Sequence, residues 1–229
     1  MISKKRLLRS WEIYAVLDSG LFPDSRELIK KFKELIKSPV DAVQLRFKDL
    51  TERSLYKAAK DIVAEAKKNN IPIIINDRPE WAVSLGCSGV HLGKADISAK
   101  IARKMLGEEA IIGRTIRRAA DLKKFSLSDV DYAAIGPVFY TPTKPGLEAV
   151  PRNTLREVVK KTNMPLVAIG SINKDNVRQV VKEGIRTVAF VRYGIGGRDT
   201  RKRIEELKKK MSARHSRVSG KQVMRVIPA

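Results

Sequence analysis

Several short stretches of this 229-residue chain place polar side chains directly after apolar runs. The segment Gln44-Leu45-Arg46-Phe47-Lys48 alternates polar and apolar, so on extended backbone Gln44, Arg46 and Lys48 share one face. An amide beside two cations suits a phosphorylated ligand that also carries a hydrogen-bonding ring. Further on come Asn76-Asp77 and then His91-Leu92-Gly93-Lys94-Ala95-Asp96, two carboxylates among cations. Two Asp without a histidine cluster suit Mg²⁺ better than zinc, because magnesium takes one or two carboxylates and completes its octahedron with phosphate and water. Asp77 and Asp96 are equally suited to cap the helices that follow them, and both readings stay open at this level.

Gly113-Arg114-Thr115 ends another apolar run. Gly136-Pro137 begins a proline-stiffened segment carrying Thr141, Thr143 and Lys144. Hydroxyls and backbone amides bind phosphate as donors, and Lys144 adds charge. Gly170-Ser171-Ile172 and Arg192-Tyr193-Gly194 complete the series.

The apolar runs that position these residues cover 13–17, 42–45, 71–75, 89–92, 110–113, 132–135, 166–169 and 188–191. Continuous apolar runs of four or five residues are the mark of strands covered on both faces. Between them lie helical patterns over 25–37, 51–69, 100–106, 119–125, 152–161, 174–183 and 200–211. Thr51 and Asn173 stand as N-caps and Gly184 as a stop. Strand–helix alternation implies a parallel sheet, and eight units in about 200 residues imply a single (β/α)8 TIM barrel. Such a barrel gathers its chemistry at the C-terminal strand ends, with phosphate after strands seven and eight. The expected organisation is a basic extension over 1–10, the barrel over 11–213 and a basic tail over 214–229. The residues alone thus predict a Mg²⁺-dependent barrel enzyme acting on two phosphorylated ligands.

Hydrophobic residues make up 43% and charged residues 31%, which excludes a disordered chain. No apolar run approaches bilayer length, residues 1–10 lack an apolar signal core, and the single cysteine, Cys87, has no partner for a disulfide. These features predict a cytoplasmic protein with no membrane association. The net charge is +22, of which twelve charges fall in residues 1–9, 198–211 and 213–229. Basic ends of this kind are usually solvated surface, or else bind polyanions. They lack stacking aromatics and no nucleic-acid module is present, so nucleic acid is not an expected partner. Cys87, Trp11, Trp81 and Phe125 read as packing residues, and His91 as a hydrogen-bonded barrel histidine.

The series Q-L-R-F-K, I-N-D, H-L-G-K-A-D, I-G-R-T, G-P-V-F-Y-T-P-T-K and A-I-G-S-I, in order from Tyr14 to about Ile195, resembles the thiamine-phosphate synthase family. The resemblance implies an enzyme that joins 4-amino-2-methyl-5-hydroxymethylpyrimidine diphosphate to 4-methyl-5-(2-phosphoethyl)thiazole, giving thiamine phosphate and pyrophosphate. Pyrophosphate leaves first, and the thiazole nitrogen captures the pyrimidine methylene cation. It further implies that Gln44, Arg46, Lys48 and Asn76 hold the pyrimidine diphosphate and that Asp77 and Asp96 bind Mg²⁺. Lys144 and Thr115 would serve the departing pyrophosphate, while Thr141, Thr143, Ser171 and the amides of Val191 and Arg192 seat the thiazole phosphate. The expected partners are these small molecules, with a second copy of the chain as a further one.

The chain departs from the family pattern in places. Phe47 replaces a usual acid and is expected to point away from the site, Lys94 replaces a Gln, and Thr115 keeps the hydroxyl of a serine. Ser171 stands at a usual glycine and Arg192 at a usual serine, both on the thiazole side. The rival within the fold is a thiazole tautomerase-like paralogue, whose branch tends to lose the metal carboxylates and uses a histidine where this chain has Thr115-Ile116-Arg117. A non-catalytic polyanion-binding barrel is the alternative outside enzymology.

Overall fold

A computed structural model describes residues 3–47, 51–142, 146–197 and 199–212. Eight parallel strands close into a barrel in chain order, β1 (Ile13–Asp18), β2 (Ala42–Arg46), β3 (Ile73–Asn76), β4 (Gly89–Leu92), β5 (Ile111–Ile116), β6 (Tyr132–Ile135), β7 (Leu166–Ile169) and β8 (Thr187–Phe190). β8 returns to pair with β1, Ile13 opposite Val188, so no edge is left unpaired. The barrel expected from strand–helix alternation is what the chain forms. Among the described residues no helix is long and apolar enough to cross a membrane.

The helices are α1 (Lys4–Ser10), α2 (Ser25–Leu35), α3 (Glu52–Lys68), α4 (Pro79–Leu85), α5 (Ala99–Leu106), α6 (Arg152–Lys161), α7 (Val177–Lys182), α8 (Arg192–Ile195) and α9 (Thr200–Ser212). Local chemistry sets their ends. Asp24 accepts from the amides of Arg26 and Glu27 at the start of α2, and Pro79 opens α4 where its missing N–H costs nothing. Thr51 occupies the N-cap of α3, yet its hydroxyl bonds the Ser54 hydroxyl rather than a helix amide. Asn173 accepts from the amides of Asp175 and Asn176, forming a turn ahead of α7, so that helix starts later than the pattern predicted. Residues 119–124 form a 3₁₀ helix rather than an α-helix, anchored by Asp121, which accepts from the amides of Arg117 and Arg118.

Two cores fill the molecule. The larger lies between strands and helices, and includes Phe32, Leu45, Ile62, Ile75, Ile112 and Leu207. The second fills the barrel interior with Tyr14, Ile74, Ile111, Tyr132, Val167 and Ala189. Tyr132 needs room there, and Gly113 provides it, since a Cβ at Gly113 would stand 2.1 Å from the tyrosine ring.

Within the basic stretch expected over 1–10, residues 4–10 form a helix. α1 lies across the N-terminal mouth of the barrel, with Leu8 and Trp11 buried in the interior core. Its Lys4 ammonium reaches the Asp131 carboxylate at 2.9 Å. Asp131 also accepts from the Ile112 amide and from Arg103, whose side chain is 6% exposed. This end is therefore a sealed, ionically pinned floor. The tail predicted over 214–229 lies outside the described residues.

Candidate active site

The opposite mouth opens into a cavity of about 650 Å³. Gln44, Arg46, Asn76, Asp77, Asp96 and Thr115 line it from the ends of β2 to β5. Thr141, Ser171, Val191 and Arg192 line it from the segments after β6, β7 and β8. Ten residues singled out in the sequence, by their place at the ends of apolar runs or by the resemblance, thus line one space. Lys48, Thr143 and Lys144 lie outside the described residues. Phe47 turns outward, buried against Trp81 with ring centroids 5.3 Å apart, as the alternation at the end of β2 predicts.

Neither carboxylate stands at the N-cap position of the helix that follows it. α4 begins after Arg78 without a side-chain cap, and α5 is capped by Ser98, which accepts from the Ile101 amide. Asp96 instead turns back to accept from the Gly93 amide at 2.6 Å. Asp77 sits at a positive φ of 65°, its amide donating to the His91 carbonyl. A left-handed Asp is uncommon, and here it carries the chain off the end of β3 at the cavity rim. The Asp96 Oδ2 and Asp77 Oδ1 atoms lie 3.2 and 4.0 Å from the position a Cβ on Gly93 would take, so both face one glycine-walled spot. Among the described residues no group of three or more His, Cys, Asp or Glu forms a closed metal centre. Two hard oxygen donors beside open space fit a divalent cation that draws its remaining ligands from phosphate and water.

Arg46 is held by a residue the strand-end reading overlooked. Asp18, at the end of β1 and 6% exposed, forms an ion pair with the Arg46 guanidinium and accepts from the Gly20 amide. Applying the same rule to the first apolar run, whose next residue is Asp18, finds it. Arg117 was likewise passed over. It lines the cavity one residue beyond β5 and donates to the Glu148 carbonyl at 2.8 Å.

Two tyrosines were hidden inside apolar runs. Gln44 donates its amide N–H to the Tyr14 hydroxyl at 3.0 Å, and the Tyr14 and Tyr132 hydroxyls are 2.9 Å apart. His91 bonds Tyr132 through Nδ1 at 3.0 Å and the Thr115 hydroxyl through Nε2 at 2.9 Å. Both ring nitrogens of His91 are therefore engaged, as expected of a barrel histidine. Burial pushes both phenols well above the usual tyrosine range, so they stay protonated at any working pH.

Ser171 adopts φ 44°, a left-handed backbone that favours glycine, and its carbonyl accepts from the Asn176 side chain. The preceding Gly170, at φ 120°, lies against Pro137, where a Cβ would come within 2.6 Å. α8 begins at Arg192, directly after Val191, so its first amides are without helical partners.

A closed parallel barrel with hydroxyls, amides, carboxylates and cations around its C-terminal mouth defines the class, a (β/α)8 barrel with a polar cavity at that mouth. The chain belongs to the thiamine monophosphate synthase family, whose model matches residues 13–193. It is 36% identical over 195 residues to a thiamine-phosphate synthase of Clostridium tetani, covering 85% of this chain and 93% of that one. A thiamine-phosphate synthase of Methanobrevibacter smithii is 33% identical over 193 residues, covering 84% and 92%. Among solved structures, thiamine phosphate pyrophosphorylase from Pyrococcus furiosus superposes with a TM-score of 0.77 at 28% identity, covering 90% of this chain and 98% of that one.

Proposed function

We propose that this chain is a thiamine-phosphate synthase, joining the pyrimidine diphosphate to the thiazole phosphate with release of pyrophosphate. The observation that carries the reading is the convergence of Gln44, Arg46, Asn76, Asp77, Asp96 and Thr115 on one cavity of a chain in this family.

An ionising C–O bond needs its leaving group's charge stabilised and its cation shielded from water. Arg46, aimed by Asp18, and Lys48 and Asn76 would hold the diphosphate, with Gln44 on the pyrimidine ring. Thr115 and Lys144 would donate to the departing pyrophosphate. Thr141, Thr143, Ser171 and the amides of Val191 and Arg192 would seat the thiazole phosphate, placing its nitrogen to capture the cation. Asp77 and Asp96 would hold Mg²⁺, which when bound supplies positive charge to the leaving group.

The test combines purified protein, both substrates and Mg²⁺, with thiamine phosphate measured with and without EDTA. Metal-dependent product is expected, and Asp77→Asn or Asp96→Asn should cost at least about a hundredfold in kcat with an unchanged melting temperature. Full activity of both variants, or turnover indifferent to EDTA, would refute the metal assignment. Binding of the thiazole ligand without product formation would favour a tautomerase-like activity instead.

A further inference from the structure

Four hydrogen bonds link five side chains from five strands, Gln44 on β2, Tyr14 on β1, Tyr132 on β6, His91 on β4 and Thr115 on β5. The chain runs through the barrel interior, where Tyr14 and Tyr132 are 1% and 0% exposed, and both its ends, Gln44 and Thr115, line the cavity. Each hydroxyl brings one proton, and neutral imidazole brings one N–H and one acceptor nitrogen. Such a chain therefore has a direction, and the group at its Gln44 end sets it.

That group is the Gln44 amide nitrogen, which only donates. Tyr14, accepting from Gln44, spends its own proton on the Tyr132 oxygen, which is the hydroxyl acceptor within reach among the described residues. Tyr132 then donates to His91 Nδ1, so the imidazole proton resides on Nε2 and is donated to the Thr115 oxygen. With its oxygen occupied as an acceptor, Thr115 has its hydroxyl proton left over at the cavity wall. The same polarity leaves the Gln44 side-chain oxygen as an acceptor at the other end of the chain. Run the other way, Thr115 would spend its proton on His91 and present only an oxygen, which repels an anion.

We infer that Tyr14, Tyr132 and His91 are positioning residues that hold Thr115 as a hydrogen-bond donor to a phosphate oxygen and Gln44 as an acceptor for a ligand N–H. The roles assigned to Thr115 and Gln44 rest on the proposed synthase reaction, whereas the polarity of the chain stands without it. Packing supports a fixed arrangement. The His91 and Tyr132 rings stack at 5.6 Å and 28°, and the Tyr14 and Tyr132 rings meet edge to face at 5.9 Å. Phenols whose ionisation is driven far upward by burial keep the chain supplied with protons.

The experiment has one arm independent of turnover. His91 and His215 are the two histidines of the chain, so ¹⁵N-histidine NMR with His215→Ala reads His91 alone. The expected spectrum is the neutral Nε2–H tautomer in wild type, with Tyr132→Phe releasing that preference. A wild-type Nδ1–H tautomer would overturn the inference whatever the enzyme makes. In the second arm, Thr115→Val is expected to lower kcat by about a hundredfold and Thr115→Ser to retain most of it. Tyr132→Phe, which keeps the ring, should lower kcat at least about tenfold while the KM for the diphosphate moves less than about threefold. The double variant Tyr132→Phe with Thr115→Val should be no slower than Thr115→Val alone, because both changes remove the same donated proton. Fully additive losses, or a wild-type kcat in Tyr132→Phe, would overturn the positioning role. Failure of the protein to form thiamine phosphate at all would strike the synthase reading and leave the tautomer measurement standing.

Discussion

The ionic floor of the barrel offers a test of how far stability and activity are separated in this molecule. Asp131 precedes β6 at the N-terminal mouth, where it accepts from Arg103 at 2.7 Å, from Lys4 at 2.9 Å and from the Ile112 amide at 2.8 Å. Asp131→Ala removes the acceptor of all three donors at once. Breaking a buried ion pair by deleting one partner costs about 3–5 kcal/mol, because the surviving charge stays desolvated. Arg103 keeps backbone acceptors in the Gly107, Glu108 and Ala110 carbonyls, so its charge is not left bare. That places the cost near the lower end, about 3 kcal/mol, with the partly exposed Lys4 pair adding only a few tenths. For a domain of this size about 3 kcal/mol lowers the melting temperature by roughly 6–12 °C. Asp131→Asn preserves an acceptor for the Ile112 amide and should cost about half as much. The cavity opens at the other mouth, so kcat/KM at 25 °C should change less than about twofold in both variants. Thermal melts followed by dichroism, with initial rates measured alongside, decide the matter. A melting temperature within about 2 °C of wild type for Asp131→Ala would refute the reasoning on the pair. A tenfold loss of kcat/KM without a change in melting would refute the separation of the two ends.

Two further predictions concern single residues. Burial pushes the Cys87 thiol up from 9.0 to about 12, against a smaller opposing effect of Lys67, so at pH 8 about one thiol in ten thousand is ionised. Alkylation by iodoacetamide should therefore run roughly a thousandfold slower than in the unfolded chain, and comparable rates would show the thiol to be open. The sign for stability follows, since a thiol raised in the folded state stabilises fully below pH 9 and loses that contribution as pH rises toward about 12. Ser171→Gly should remove a left-handed Cβ penalty of about 1–2 kcal/mol against an entropic loss of up to about 1 kcal/mol, giving a melting temperature raised by up to a few degrees. A clear drop in melting temperature would mean that the serine side chain contributes more than its backbone costs.

Much of the fold is legible residue by residue. Strands covered on both faces must be apolar throughout, so the runs at 89–92, 132–135 and 166–169 coincide with β4, β6 and β7 to the residue. Polar residues within two positions of the end of a run lie at the cavity mouth, and that pattern locates Arg46, Asn76, Asp77, Thr115 and Ser171. Helix starts are less legible where two capping choices compete. Ser98 rather than Asp96 caps α5, and the spacing of the two residues does not decide between them.

Sequence by itself determined the strand–helix alternation, the barrel and the ring of polar residues at its mouth, since each depends on local pattern and burial. Tertiary closure alone decided how those residues are held. Tyr14 and Tyr132 stand 118 positions apart and share a hydrogen bond only because β1 and β6 face each other across the interior. Asp18 and Arg46 meet because β1 and β2 pair in register there. α1 becomes a floor only once a barrel exists for Leu8 and Trp11 to enter. The physical reason is the same in each case. Apolar burial is a property of single residues, whereas a hydrogen bond or ion pair in the interior is a property of two distant ones, and their meeting is fixed by the geometry of closure.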